Sequence, residues 1–323
     1  MPSPTSALTT LRPDLAGSLM EFDLQADQAG FVGLRVAPVI EVGKQSGQFG
    51  RIPVAQLLQN RETLRSPGGG YSRGTFKFTP DTYACDEHGA EEPVDDREAA
   101  MYAEYLDSEL LAAARARDVV LRNFEKRMAA LIFNTATWTG SALTTTIGTN
   151  WATVASATPV VDVNAARQKL WDGSGIWPNA LIVNRKVYND LRNTTEIIDH
   201  SKSQGFMDVR QGNISEAQLA TVFDLEQIIV AGSPKNTADE GLAITIAPIW
   251  SNSYAMLCKV ARTSDHREPC ISRVFHWGED GSAIGGTIES YRDETVRSDI
   301  IRVRHDVDEK VMYTQAGHLL VID

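Results

Sequence analysis

EEPVDDREAAMYAEYLDSELLAAARARDVVLRNFEKRMAALIFN, residues 91–134, is the stretch on which the fold turns. Pro93 stands just before its start, and Asp95 with Glu98 has the spacing of a capping box. From there Ala99, Tyr102, Leu106, Leu110, Ala113, Val120, Phe124, Met128 and Leu131 recur at helical steps, with charged residues between them. No Gly or Pro follows before Asn134, so the pattern predicts one helix running to about Phe133. Such a helix is about 55–60 Å long, far beyond the usual three turns. With a single apolar stripe it is a spine on which other elements lie.

Upstream the character is different. Residues 1–30 are polar without sustained period, and FVGLRVAPVIEV (31–42) is strand-like, with a Pro suited to an edge or bend. Residues 48–93 hold a triple glycine at 68–70, two short β-prone runs (Gly74 to Phe78, Asp81 to Cys85) and several turn signals. This predicts a long arm followed by an extended loop or hairpin. Ordering some forty arm residues costs roughly 40–80 kcal/mol. Either the arm lies across its own domain or neighbouring subunits cover it.

Downstream, a Thr, Ser and Gly linker (135–158) leads into a helix from Asp162 to Trp171, stopping at Gly173. ALIV (180–183) reads as a buried strand, RKVYNDLRN (185–193) as a short helix, and Ser215 with Gln218 as a capping box opening another. QIIVAG, LAITIAPI, YAMLCKV and ISRVFHW read as strands, and the stretch from Thr287 as two or three strands joined by charged turns. Helices and strands that do not alternate strictly make the class α+β.

The 323 residues carry a formal net charge of −11, which argues against a dedicated nucleic-acid binder but not against a container of nucleic acid. Cys85, Cys258 and Cys270 are too few for a disulfide framework and suit reduced thiols in a cytoplasmic setting. The N-terminus lacks the basic start and apolar core of a signal peptide. The longest apolar run, LAITIAPIW at 242–250, is too short to span a membrane.

Chemical motifs are few. Gly70-Tyr71-Ser72-Arg73-Gly74 has the spelling of a nucleophile elbow, but neither a core strand before it nor a helix after it is predicted. A flexible hairpin tip is the better reading, and a soluble serine hydrolase using Ser72 is the competing one. Cys85 and His88 have half-zinc-site spacing, while Cys258, His266, Cys270 and His276 fit no usual knuckle. His200, His305 and His318 stand alone, and Asp306 to Glu309 reads as a solvated turn. Gly281 to Gly286 lacks the lysine of a phosphate cradle. No catalytic, cofactor-binding or metal residue is assigned, and no cofactor is expected.

The order of parts resembles the major capsid proteins of tailed bacteriophages, with the Hong Kong 97-type fold. Residues 91–134 look like the end of that family's extended loop entering its spine helix. NALIVNRKVYNDLRNTTEIIDHSKSQG (179–205) resembles its axial domain, and the segments from Ile214 and Thr287 resemble its later body and closing strands. The resemblance implies an N-terminal arm (1–45), an extended loop (46–92) and a peripheral domain with the spine helix (93–159). An axial domain (160–280) follows, then C-terminal strands (281–323) returning to the peripheral domain. It further implies self-assembly into pentamers and hexamers of an icosahedral head around double-stranded DNA, in the virion and, during assembly, the host cytoplasm. Scaffold and portal proteins, and a decoration protein, are the implied partners, with no membrane. An encapsulin-type shell is the alternative of the same class. Some family members join a loop lysine to an asparagine of the peripheral domain. Lys44 and Lys77 stand at or near the loop, but the last asparagine is Asn252, so a shell without covalent links is expected.

Overall fold

The computed structural model describes residues 24–75, 77–102, 107–203, 213–239, 241–265 and 267–322. Most of the predicted polar arm segment, together with Leu106 and His266, lies outside the described residues.

The described residues open with two short helices, α1 (Leu24–Gln28) and α2 (Gly33–Val36), then β1 (Val39–Val42). Only the last third of FVGLRVAPVIEV is therefore a strand. Its first half turns helically because the amides of Val32 and Gly33 both donate to Glu125, at 2.8 Å each. Next come β2 (Ser46–Arg51), the single turn α3 (Val54–Leu57), β3 (Thr79–Ala84) and β4 (Asp86–Asp95). Of the two predicted runs in the loop, Asp81 to Cys85 overlaps β3, and Gly74 to Phe78 pairs with nothing among the described residues.

The long helix is divided. Asp95 Oδ1 accepts from the amides of Arg97 and Glu98, so the predicted cap opens α4 (Asp96–Tyr102). Asp107 is extended (φ −79°, ψ 97°), and its carboxylate accepts from Leu110 N at 3.1 Å, capping a separate helix α5 (Ser108–Ile132). The pair Asp107-Ser108 is a second start signal inside the periodic run, and α5 measures about 37 Å.

Ala112, Ala116, Val120, Phe124, Met128 and Ile132, every fourth residue, form the main buried row of α5, joined by Asp118, Glu125 and Ala129, while Leu110 faces solvent. Each step of four advances about 40° around the helix. The buried row therefore winds. Ala112 and Ala116 pack on Val94, Ile301 and Val303, where small side chains let the helix approach the sheet. Met128 and Ile132 enter a larger core with Val32, Val36, Trp138 and Trp250.

The rest comprises β5 (Thr144–Thr146), α6 (Pro159–Ser174), β6 (Ala180–Asn184), α7 (Arg185–Asn193), α8 (Thr195–Ser203), α9 (Glu216–Val222), β7 (Gln227–Ala231), β8 (Pro234–Asn236), β9 (Ile246–Pro248), β10 (Tyr254–Cys258), β11 (Ser272–Trp277), β12 (Thr287–Asp293), β13 (Ser298–Val311) and β14 (Gly317–Val321). Helix α6 runs through Gly173 and ends at Gly175, whose φ of +66° supplies the left-handed cap. Asn184 caps α7, and Ser215 with Gln218 makes both bonds of the predicted box.

Two sheets organise the chain. In one, β13 is central: it pairs antiparallel with β4 on one side and with β12 and β11 end to end on the other, while β1 runs parallel to β11. The other has the order β5-β14-β10-β6-β7. Strand β14 thus lies in the second sheet, apart from β12 and β13. Its Leu320 joins Leu181, Leu257, Val163, Leu170 and Leu191 in the core under α6 and α7. No described helix is long and apolar enough to cross a membrane.

Candidate assembly surfaces

Strands β2 and β3 pair from Ser46↔Ala84 to Arg51↔Thr79, leaving residues 52–78 as the tip of a long hairpin. The base is held firmly. Tyr83 stacks on Phe275 with ring centroids 4.9 Å apart, Phe49 sits at 5.4 Å from the same ring, and Asp308 Oδ2 accepts from Ala84 N at 3.0 Å. Arg51 pairs with Asp81 and donates to Met312 O. Beyond the approach of Leu58 to Gly175 at the end of α6, the tip has no such support. Leu57, Leu58, Leu64, Tyr71 and Phe78 are exposed, Leu64 to 85%.

Within the tip, Ser66-Pro67-Gly68-Gly69 forms a turn closed by Gly69 N donating to Ser66 O at 3.0 Å, with Gly68 at φ +81°. Of the three glycines, Gly68 is the one whose backbone demands glycine. Ser72 follows in exposed, irregular chain that leads to a strand and not a helix.

The tip is also basic. Residues 52–78 hold Arg61, Arg65, Arg73 and Lys77 against the single acid Glu62, in a chain of net charge −11. The surface of β4, β12 and β13 has the opposite sign. Arg292, Arg302 and Arg304 are shared among eight carboxylates: Asp96, Glu294 and Asp299; Glu91 and Glu289; Glu87, Asp280 and Asp306. A second apolar projection is the β8–β9 hairpin, whose Leu242, Ile244 and Ile246 are exposed. Of LAITIAPI, predicted as a strand, only Ile246–Pro248 pairs.

The acidic run 306–309 lies inside β13 and is no turn. Asp306 is buried beside Ser282, and Asp308 holds the hairpin base. Burial raises both carboxyls above the usual carboxylate range. Cys85 donates its thiol to Phe275 O, and burial pushes that thiol up to about 12, while His88 lines a trough beside α5. The two residues with half-zinc-site spacing are put to separate uses.

A cluster with no local sequence signal joins Glu41, His276 and Ser282. His276 Nδ1 is 2.7 Å from Glu41 Oε2, and Nε2 is 3.3 Å from Ser282 Oγ. The Ser282 hydroxyl also accepts from Asp306 N at 3.0 Å. This falls where β13 changes partner from β12 to β11, so Ser282 completes the hydrogen bonding of a gap in the sheet.

The arm, too, is tied by side chains that the periodicity alone did not single out. Glu125, completely buried, accepts from Val32 N, Gly33 N and Trp250 Nε1 (2.6 Å), joining the arm, the helix and the segment between β9 and β10. Burial raises its carboxyl above the usual range. One turn earlier, Arg122 bridges Asp27 and Asp118 at 2.7 Å each and donates to Pro234 O.

His305 and His318, solitary in sequence, are both fully buried. His305 lies between Phe124 and His88, and His318 donates to Ala142 O and meets the Thr145 hydroxyl at 2.8 Å. Burial lowers each to about 4. In the unfolded chain they titrate near 6.5, so the unfolded state binds more protons between those values. Stability is whole above pH 6.5 and falls as pH drops toward 4, by an amount on the order of 3 kcal/mol per histidine. Urea midpoints measured from pH 7.5 to 4.5 fall less steeply for His318→Gln than for the parent chain. Parallel slopes would show that His318 is not the titrating group.

No family model matches the chain. It is 21% identical over 282 residues to the major capsid protein of Pseudomonas phage JBD67, covering 87% of this chain and 88% of that one. It is 25% identical over 210 residues to the major capsid protein of Burkholderia phage BcepMu, covering 62% and 64%. In three dimensions it overlays a phage-related protein of Bordetella bronchiseptica RB50 with a TM-score of 0.66 at 21% identity, covering 96% of both chains. The capsid of cyanophage P-SCSP1u overlays at 0.59 and 13% identity, covering 88% and 86%. The SrpI encapsulin of Synechococcus elongatus overlays less well, at 0.51 and 9%, covering 93% and 90%.

Proposed function

We propose that this chain, which carries the Hong Kong 97-type fold of tailed-bacteriophage major capsid proteins, is the major capsid protein of such a phage. It associates with itself into a closed shell, the head of the virion, and works by burying surface against its neighbours and not by catalysis. The observation that carries this reading is the hairpin of residues 46–84, rigid at its base and apolar at a tip that its own chain leaves in water. A surface of that kind gains stability only from another subunit, and reciprocal coverage around a ring closes a shell.

On this reading residues 1–45 are the arm, 46–92 the extended loop and 93–159 the peripheral region, with α5 as spine. Residues 160–280 form the axial region. Strands β12 and β13 return beside β4, and β14 completes the axial sheet. Pentamers and hexamers enclose double-stranded DNA, with scaffold and portal proteins acting during assembly in the host cytoplasm and a decoration protein on the finished head. The encapsulin alternative has the same fold and differs in cargo.

The test is the state of the expressed protein. It sediments as shells or ring-shaped capsomers by electron microscopy, and particles from lysed hosts contain DNA. Boiled in detergent with reductant, mature particles run as one band near 35.4 kDa. A monodisperse monomer, alone and with its scaffold, overturns the reading. Protein cargo in place of DNA would select the encapsulin, and a heat-stable ladder would show covalent links.

A further inference from the structure

The charges of α5 are balanced in sequence but segregated in space. Between Arg115 and Ala130 the helix has five basic residues and two acids, Asp118 and Glu125. Both acids are buried, one bound to Arg122 and the other to the arm amides. The exposed residues of that span are Arg115, Arg117, Val119, Asn123, Lys126 and Ala130, none of them acidic. Arg115, Val119, Asn123, Lys126 and Ala130 recur at three- and four-residue steps and so form one stripe, about 22 Å long.

We infer that this outward stripe of α5 is where the enclosed double-stranded DNA rests, through phosphate contacts to Arg115 and Lys126. The inference depends on the capsid reading above, and it goes beyond it by naming a DNA-facing element in an acidic chain.

Lys126 has no partner among the described residues. It stands on the wall of a trough of 540 Å³ between α5 and β4, which Asn123, His88 and Arg127 also line. That volume admits a phosphate group with its waters, and Asn123 offers an amide donor beside the ammonium. Arg115 is loosely held by Glu92 at 3.6 Å and keeps outward donors, its side chain 59% exposed, while Arg117 lies on the other side of the helix and donates through Nε to Gly285 O.

The opposing charges beside the stripe are engaged or set back, Glu92 being the partner of Arg115. Glu87 stands on the far wall of the trough, and Glu309 is occupied by Arg127 at 2.7 Å. In a chain of net charge −11, the stripe offers two phosphate contacts per subunit. Binding by so few contacts is weak, and its salt dependence is shallow because few counterions are released. That suits a container, because DNA can slide in and out while the wall still screens it.

The test is lysine acetylation followed by mass spectrometry on DNA-filled heads and on the same heads emptied of DNA. Lys126 reacts about fivefold more slowly in filled heads and recovers when they are emptied, since contact with phosphate shields the amine. Lys186 and Lys202, exposed ion-paired lysines on α7 and α8, react alike in both. Equal rates at Lys126 overturn the inference while leaving the shell intact. Equally strong protection in DNA-free heads assigns the stripe to a protein neighbour and overturns it too. A chain that forms no closed particles overturns the inference together with the capsid reading.

Discussion

Replacing residues 59–74 by a short Gly-Ser turn leaves a folded subunit that forms no shells. The bonds that fix the hairpin base, from Tyr83, Ala84 and Arg51, all lie outside the deleted segment. The tip itself gives its own chain almost nothing, so the melting temperature of the free subunit stays within about 2 °C of the parent. Its contribution is made in the shell. Fully burying a large apolar side chain is worth about 1.5–3 kcal/mol, and Leu64 and Tyr71 are lost with the segment. Arg65 and Arg73, which complement the acidic surface of β4, β12 and β13, go with them. Multiplied around a closed ring, that loss removes assembly. Gly68→Val is the milder form of the same experiment, since a β-branched residue resists φ +81°. Electron microscopy and sedimentation decide the matter. Normal particles from the shortened chain would mean that other surfaces close the shell.

Glu125→Ala unfastens the arm. Three buried donors, Val32 N, Gly33 N and Trp250 Nε1, lose their shared acceptor. Leaving a buried donor unsatisfied costs about 1–3 kcal/mol. Removing a carboxylate that burial already disfavours offsets part of this. A net loss of roughly 3–5 kcal/mol remains, a large share of a typical domain's stability. The melting temperature drops by about 6–12 °C, and amides of residues 24–37 exchange faster than those of β6 and β10. Glu125→Gln keeps one acceptor oxygen and falls between the two. A change under about 1 kcal/mol in the alanine variant would show that the arm is held by its apolar residues alone.

Particular residues show why some of this was legible beforehand. The α5 periodicity, the caps at Asp95 and Ser215, and the turn at Gly68 were written in local chemistry, because a cap or a turn is decided by residues three or four positions apart. The exposed tip was legible as well, as a segment too poor in periodic apolar residues to build a core. The division of the helix at Asp107 was locally encoded but hidden by a continuous apolar period.

Sequence alone therefore determined the main helices and most of the later strands, that the class is α+β, and that the loop has no core of its own. Tertiary structure alone decided the fate of the charges. Glu125 and Asp118 look in sequence like solvated helix charges, and Asp306 like part of a turn. Arm amides, Arg122 and the Ser282 plug, all distant in the chain, make their burial tolerable. It also decided that β14 joins the second sheet while β13 joins the first. Strand partnership and the satisfaction of a buried charge depend on groups brought together only by folding, and neither leaves a local period to read.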